Sequence, residues 1–326
     1  MSRKRVFSGI RSTGRLHIGN YFGAVKGMLE LQETHDCIFG VVDYHGITTP
    51  FDPKNMQEEI RDVILDYLAA GLDSKKCHLM IQSQVPEHVE LSYFFATIFP
   101  VSRLEQLPTY KDKKLENPNY VNLGLLYYPI LMAADILIYK AEEVPVGKDQ
   151  LPHIELSREV ARKFNVMFKK IFPEPQAFLT KGALIPSLLG EGKMSKSIRG
   201  SYILLTDDLK TIKEKLSKAP TDSGSGKNIP QEGGVANLLV FVELFMGKKT
   251  REDYEKQYLG KGIKYSDLKE KLAQVIFKAL KPIQEKRTLF EKNSKLVDEI
   301  LEEGRVYCSK IAKETLSEVK KTMGLA

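Results

Sequence analysis

Arg5-Val6-Phe7-Ser8-Gly9-Ile10 runs into Arg11-Ser12-Thr13-Gly14-Arg15 and then into Leu16-His17-Ile18-Gly19-Asn20. The first six residues read as a short buried strand ending near a glycine, and the next five as a Ser/Thr/Gly turn. From Gly19 to about Thr34 the apolar residues Tyr21, Phe22, Val25, Met28, Leu29 and Leu31 recur at helical spacing. Strand, turn and helix N-terminus in that order build an anion-binding corner, because free backbone N–H groups and the positive end of the helix dipole face one point.

The pattern repeats outward from there. Residues 37–42 are a continuous apolar run, as expected of a second parallel strand. It ends on Asp43-Tyr44-His45-Gly46, polar groups at the strand edge where α/β folds hold ligands. Asp52-Pro53 supplies an N-cap and an N1 proline for a helix with Met56, Ile60, Val63, Ile64, Tyr67 and Leu68 on one face. A third strand is expected at 77–81 and another helix at 85–98. The order β-α-β-α-β predicts an α/β fold with a doubly wound parallel sheet.

Beyond it the pattern turns helical. Residues 125–139 are strongly apolar around a single charge, Asp135, and 144–147 form a short strand-like run. A helix is expected from Asp149-Gln150 to about Phe164, and others at about 206–218, 235–246, 251–258, 266–290 and 293–322. The predicted organisation is an α/β domain at 1–190 followed by an all-helical domain at 191–326. The last helix is expected either there or folded back on the α/β body.

With 326 residues, 42% of them hydrophobic, the chain has enough material for one large or two moderate cores. No run approaches the ~20 apolar residues of a membrane span. The basic N-terminus is followed by an apolar stretch broken by Ser8, Gly9 and Arg11, which is not the pattern of a secretory signal. Cys37, Cys77 and Cys308 lie too far apart in sequence for a CxxC pair or metal-ligand cluster, and a reduced cytoplasm is the expected location. The net charge of +7 comes mainly from beyond residue 200, where 24 Lys and Arg face 19 Asp and Glu. Residues 261–287 are either a face for a phosphate backbone or a solvated helix face.

Lys193-Met194-Ser195-Lys196-Ser197 follows Gly190-Glu191-Gly192. The glycines permit positive φ, so the segment reads as a mobile loop. Two ammonium groups on such a loop can close over a triphosphate, although most pairs of nearby lysines are simply solvated. Upstream, the His17 imidazole, neutral or cationic, can donate to a phosphate oxygen, and Gly19 lets a flat base pack on bare backbone. Each segment alone is weak; paired in this order they are specific. Here the chain resembles the class I aminoacyl-tRNA synthetases, whose HIGH and KMSKS signatures bracket the ATP site of a Rossmann fold.

The resemblance narrows with Phe7-Ser8-Gly9-Ile10, Val42-Asp43-Tyr44-His45, Tyr128-Pro129, Met132-Ala133-Ala134-Asp135-Ile136-Leu137, Val144-Pro145-Val146-Gly147 and Asp149-Gln150. These are similar to the bacterial tryptophanyl-tRNA synthetases, and the likeness covers essentially the whole chain. It implies an ATP site formed by Arg11, Ser12, Thr13, His17, Gly19, Asn20, Gly147, Lys148, Asp149, Ile185 and the loop residues Lys193, Met194, Ser195, Lys196 and Ser197. His17, Lys113, Lys193 and Lys196 would act on the triphosphate. Phe7, Gly9, His45, Met132, Ile136, Val144 and Val146 would line an aromatic slot around Asp135, with Tyr128 and Gln150 at the amino-acid pole. The resemblance further implies Mg2+ carried on ATP, tRNA(Trp) as partner and a homodimer. The turn Gly9-Ile10-Arg11-Ser12-Thr13-Gly14 departs from the family's common GIQPSG, which leaves a phosphate as an alternative partner for Arg11. Some relatives hold an iron–sulfur cluster through four C-terminal cysteines; only Cys308 lies in that region, so no cluster is expected.

Asp135 also stands on its own chemistry. A buried carboxylate needs a partner. A local ion pair, for instance with Lys140, would serve; so would an indole N–H, a donor without acceptor character. A tyrosyl enzyme of the same class would want a second polar partner deep in the slot, where Met132, Ile136 and Val146 are expected instead. A small-molecule nucleotidyltransferase would not need a basic helical region after residue 200. A non-catalytic tRNA-binding paralogue would not need His17, Lys193 and Lys196 intact.

Overall fold

The computed structural model describes residues 3–116, 118–147, 150–179, 185–196 and 198–326. Strand β1 (Arg5–Ile10) leads through the turn to α1 (Ile18–Asn20), a π-helical turn at Tyr21–Val25 and α2 (Lys26–Leu31). Next come β2 (Asp36–Val41), α3 (Asp43–Gly46), α4 (Met56–Ala70), β3 (Cys77–Ile81) and α5 (Glu87–Ile98). Two short helices, α6 (Val101–Glu105) and α7 (Pro108–Glu116), precede the apolar α8 (Leu123–Leu137). Then follow β4 (Glu143–Val146), α9 (Leu151–Met167) and β5 (Gln176–Leu179). The remainder is helical: α10 (Leu209–Ser217), α11 (Gly233–Met246), α12 (Lys248–Leu259), α13 (Tyr265–Lys292) and α14 (Ser294–Met323).

The five strands form one parallel sheet in the order β3-β2-β1-β4-β5, in register from Val6↔Cys37 to Ile10↔Val41 at its centre. β2 is buried from Cys37 to Val41, as a strand covered on both faces must be, which is why its sequence is an unbroken apolar run. The chain winds outward from β1 to β3, then returns to the other side of β1. That reversal puts the topological switch point between β1 and β4, and such sheets hold ligands outside the strand C-termini at that point. There the strands end in Gly9, Ile10 and Val146. Strand β5 and helices α6 and α7 were not legible. Gln-Ala-Phe-Leu is a partly exposed edge strand, and α7 has no apolar stripe.

The chain divides into two compact units, and the division is discontinuous in sequence. Unit 1 is Met1–Gly14, Ala24–Gly182 and Phe290–Ala326; unit 2 is Arg15–Gly23 and Ala183–Leu289. This division differs from the contiguous 1–190 and 191–326 expectation at Arg15–Gly23, while the last helix takes the folded-back place that the sequence left open, for two physical reasons. Residues 16–18 are bonded to residues 203–205, with Ile18 N–H donating to the Ile203 carbonyl and Leu205 N–H to that of Leu16, each at 2.9 Å. At the other end, α14 packs on β3 and α5. Cys308, Ala312, Leu316 and Val319 join the unit 1 core with Phe95, Phe164 and Phe172. Gly304 makes this approach possible: a Cβ there would lie 1.8 Å from the Leu79 carbonyl oxygen. Beside it Tyr307 stacks on His78 at 3.5 Å, and its hydroxyl donates to Asp36 at 3.1 Å.

Candidate active site

Unit 2 contains the corner built from His17. The residue caps α1: Nδ1 accepts from Asn20 N–H at 3.2 Å, while the His17 N–H donates to Asn20 Oδ1 at 3.1 Å. With Nδ1 committed as acceptor, the neutral ring carries its proton on Nε2 and offers that N–H outward. His17 is buried, and burial together with the charge of Lys196 pushes its pKa down to about 4. The imidazole is therefore neutral at physiological pH, which removes the cationic form admitted by the sequence. Tyr202 lies against it with ring centres 5.8 Å apart. Tyr202 is in turn faced by the Lys215 ammonium at 5.0 Å, and Lys215 is paired with Asp207.

The basic segment is a tied hairpin rather than a free loop. Pro186 pairs with Lys193, Ser187 N–H donates to the Gly192 carbonyl at 3.0 Å, and Met194 N–H donates to that of Ile185 at 3.1 Å. Gly190 and Gly192 both take positive φ, as expected. The buried Ser201 hydroxyl donates to the Ser195 carbonyl at 2.7 Å and accepts from Ser195 N–H at 3.2 Å. Ile185 and Met194 are buried, and a Cβ on Gly19 would come within 3.3 Å of the Met194 Cβ. The two signature segments thus meet: His17, Gly19, Asn20, Ile185, Lys193, Met194, Ser195 and Lys196 all belong to unit 2. Arg11, Ser12, Thr13, Gly147 and Lys113 belong to unit 1, Lys113 half-buried on α7. Lys148, Asp149 and Ser197 lie outside the described residues.

Unit 1 holds the residues expected around the aromatic slot. Phe7, Ile136, Val144 and Val146 are buried in one apolar cluster, with Met132 packed against it. Phe7 and Gly9 share one face of β1, and Gly9 is open to solvent although Phe7 is buried. At the centre is Asp135, 1% exposed. Lys140 is not its partner: that ammonium pairs with Glu318 on α14 at 2.6 Å, which corrects the local ion pair considered from sequence. Instead Asp135 Oδ2 accepts from His45 Nε2, and Oδ1 accepts from both Gln82 Nε2 and His88 Nδ1, each at 2.7 Å. Burial would raise this carboxyl, but His45 and His88 outweigh it and hold it down at about 2. Asp135 is ionised throughout the physiological range.

Tyr128 forms the rim. Its ring meets His45 edge-on at 6.2 Å, its hydroxyl donates to Thr109 Oγ1 at 2.9 Å, and His153 Nε2 lies 2.9 Å from the same oxygen. Burial raises its pKa, against the Thr109 bond and the charge of Arg11, so it stays a phenol. The charge of Arg11 is thus felt at Tyr128. Gln150 caps α9, its N–H donating to the Gly147 carbonyl at 3.0 Å beside the end of β4. Gln82, His88, Thr109, His153 and Tyr202 were missed by sequence reading. Each is an isolated polar residue, and only tertiary structure brings it to a ring or a carboxylate.

A model of the class I tRNA synthetases for tryptophan and tyrosine matches residues 2–281. The chain is 42% identical over 327 residues to the tryptophan–tRNA ligase of Bacillus anthracis, covering 98% of each. It is 40% identical over 330 residues to that of Helicobacter pylori, covering 100% of each. Among solved structures, the tryptophanyl-tRNA synthetase of Campylobacter jejuni, complexed with ADP and tryptophan, superposes with a TM-score of 0.84 at 31% identity over 98% of this chain and 100% of that one. That of Mycoplasma pneumoniae gives 0.85 at 32% identity, with 99% and 98% covered.

Proposed function

The chain belongs to the class I tRNA synthetases for tryptophan and tyrosine, and we propose that it activates L-tryptophan with ATP and transfers it to the 3′ end of tRNA(Trp). The observation that carries the amino-acid choice is Asp135. It is a buried, ionised carboxylate in a slot lined by Phe7, Met132, Ile136, Val144 and Val146. An ionised carboxylate accepts and cannot donate, which suits the indole N–H, and the aliphatic and Met lining suits a flat apolar ring.

In this reading the tryptophan carboxylate attacks the α-phosphorus of ATP. A C–O–P linkage forms, the bond to the bridging oxygen breaks, and pyrophosphate leaves with its electron pair. The 3′-terminal ribose hydroxyl of the tRNA then attacks the carbonyl of the adenylate and AMP departs. The protein positions and neutralises charge rather than reacting itself. His17 Nε2–H donates to a phosphate oxygen, a neutral donor that adds no competing charge. Gly19, Asn20, Ile185, Met194 and Ser195 hold the nucleoside end. Lys193 and Lys196, with Lys113, stabilise the leaving pyrophosphate, and Mg2+ enters as part of the substrate on the β- and γ-phosphates. Tyr128 and Gln150 take the amino-acid pole. Arg11, whose charge already acts on Tyr128, is proposed at the substrate carboxylate rather than at a phosphate.

Among the described residues no helix is long and apolar enough to cross a membrane. A cytoplasmic enzyme acting as a homodimer completes the proposal. Pyrophosphate exchange into ATP, measured with each of the twenty amino acids and followed by tRNA charging, tests the reading. Exchange with tryptophan and charging of tRNA(Trp) are expected. Exchange with tyrosine alone would overturn the substrate, and exchange without charging would favour a small-molecule nucleotidyltransferase.

A further inference from the structure

The Asp135 carboxylate is nearly saturated before any ligand arrives. An ionised carboxylate offers about four lone-pair directions. Gln82 and His88 take both of those on Oδ1, and His45 takes one on Oδ2. One acceptor position, on Oδ2, remains. The orientation of each donor is fixed in turn. Gln82 Oε1 accepts from Tyr44 N–H at 3.1 Å, so its amide nitrogen must face Asp135. Nε2 of His88 lies 2.6 Å from the Tyr139 hydroxyl. Tyr139 stays protonated, its pKa raised by burial and by the neighbouring Cys308, Asp135 and Glu87, and so donates to Nε2. An ionised carboxylate only accepts, so His88 Nδ1 turns its proton toward Asp135 while the Tyr139 hydroxyl fills Nε2. His88 and Tyr139 are both 0% exposed, and Tyr139 is stacked on Phe7 of the slot at 5.4 Å.

We propose that His88, locked by Tyr139 with its proton on Nδ1, is a positioning residue that acts through Asp135, closing Oδ1 and leaving a single Oδ2 lone pair for the indole N–H. The inference rests on the tryptophan reading above. Its consequence is chemical selectivity. His45 and His88 each spend the N–H they turn toward the slot on Asp135, and Gln82 spends one of its two amide N–H groups there, so neither histidine offers the slot a second donor on that side. An indole N–H, a donor only, is satisfied by that arrangement. A phenol oxygen would find no donor on either histidine, and a buried polar atom left short of partners is penalised.

The titratable groups facing this relay are His45 from α3, Glu87 and His88 from α5, Tyr139 after α8, and Cys308 from α14. Removing His88 removes one influence that holds Asp135 ionised, while burial continues to raise it. The test compares tryptophan with 3-(benzothiophen-3-yl)alanine, whose sulfur replaces the N–H, in pyrophosphate exchange between pH 5 and 9. Wild-type protein should prefer tryptophan by about 10- to 100-fold in kcat/KM, the range of a hydrogen bond to a charged group. His88→Leu should reduce that preference to a few-fold and raise KM for tryptophan, but not for the analogue, toward acid pH, with kcat little changed. His88→Asn should restore much of the preference, because its amide nitrogen occupies the Nδ1 position. Should the leucine variant fail to fold, Tyr139→Phe keeps the packing and frees the tautomer, and a smaller loss of preference is expected.

An unmoved preference in Tyr139→Phe, or equal losses toward both amino acids in His88→Leu with no rescue by asparagine, would overturn the positioning role. Wild-type protein that exchanges with no tryptophan at all would instead refute the function on which the inference rests.

Discussion

Gly19 lies so close to His17 that a Cβ on it would come within 2.8 Å of the imidazole Cε1 and Nδ1. The ring cannot turn away freely, because Nδ1 holds the N–H of Asn20. The glycine and the histidine are therefore one structural unit. The glycine clears the room in which the histidine caps the helix and aims Nε2 outward.

Gly19→Ala should break this arrangement. Overpacking of this kind costs about 1–3 kcal/mol, and the imidazole must leave its capping position. KM for ATP is expected to rise by about tenfold, while tryptophan affinity measured by calorimetry stays within a factor of about two. Unchanged ATP kinetics would show that the neighbouring chain absorbs the methyl group.

Lys196 acts on His17 as well as, in the proposed reaction, on phosphate. In Lys196→Ala the His17 pKa, followed by proton NMR, should rise from about 4 yet remain below the ordinary 6.5, because burial is the larger cause and persists. The same variant should slow adenylate formation much more than it weakens tryptophan binding. Equal losses would argue against a role in the transition state.

The depressed His17 also predicts a pH dependence of stability. Between its ordinary 6.5 and about 4, the unfolded chain binds a proton that the folded chain refuses. Stability should therefore fall as pH drops through that window, by an amount on the order of a few kcal/mol at full burial. Urea midpoints at pH 7 and pH 4.5 should differ more for wild type than for His17→Asn.

For Asp135 the window lies lower. Its folded value of about 2 is below the ordinary 3.8, so its contribution is complete above about 4 and is lost only as pH falls toward 2. Tryptophan affinity should be independent of Asp135 titration from pH 5 to 9. Asp135→Asn should lower kcat/KM for tryptophan by about 100-fold and destabilise the fold by on the order of 3 kcal/mol, because the donors of His45, Gln82 and His88 lose their charged acceptor. An Asp135→Asn protein with wild-type tryptophan kinetics would remove Asp135 from recognition.

Gly304→Ala should be severe although it lies far from any ligand. Its Cβ would overlap the Leu79 carbonyl at 1.8 Å, a backbone atom with no rotamer to escape into. A loss of several kcal/mol in unfolding free energy from urea titration is expected, against about 0.5 kcal/mol for an ordinary surface substitution on the same helix.

The parallel strands β1, β2 and β3 were legible because burial on both faces writes apolar runs into a sequence. The corner at His17 was legible because a strand, a glycine-rich turn and a helical period follow in order. β5 was not, since an edge strand of four half-exposed residues carries no period. Nor was the shell of Asp135. Gln82, His88 and His45 come from three elements, and a single polar residue on a helix looks the same in sequence whether it faces water or a carboxylate. The place of Arg15–Gly23 in unit 2 was not legible for a related reason: the pairing of residues 16–18 with 203–205 is a long-range contact with no local signature.

The return of α14 sets an order of events during synthesis. The ribosome delivers β1, β2 and β3 more than two hundred residues before Cys308, Ala312, Leu316 and Val319, which share their core. Until Ser294–Met323 has emerged, the Leu79 backbone and the apolar side chains beside it are without their cover. A message truncated before Cys308 yields a protein that carries every signature residue and lacks part of the core of the unit that holds Asp135.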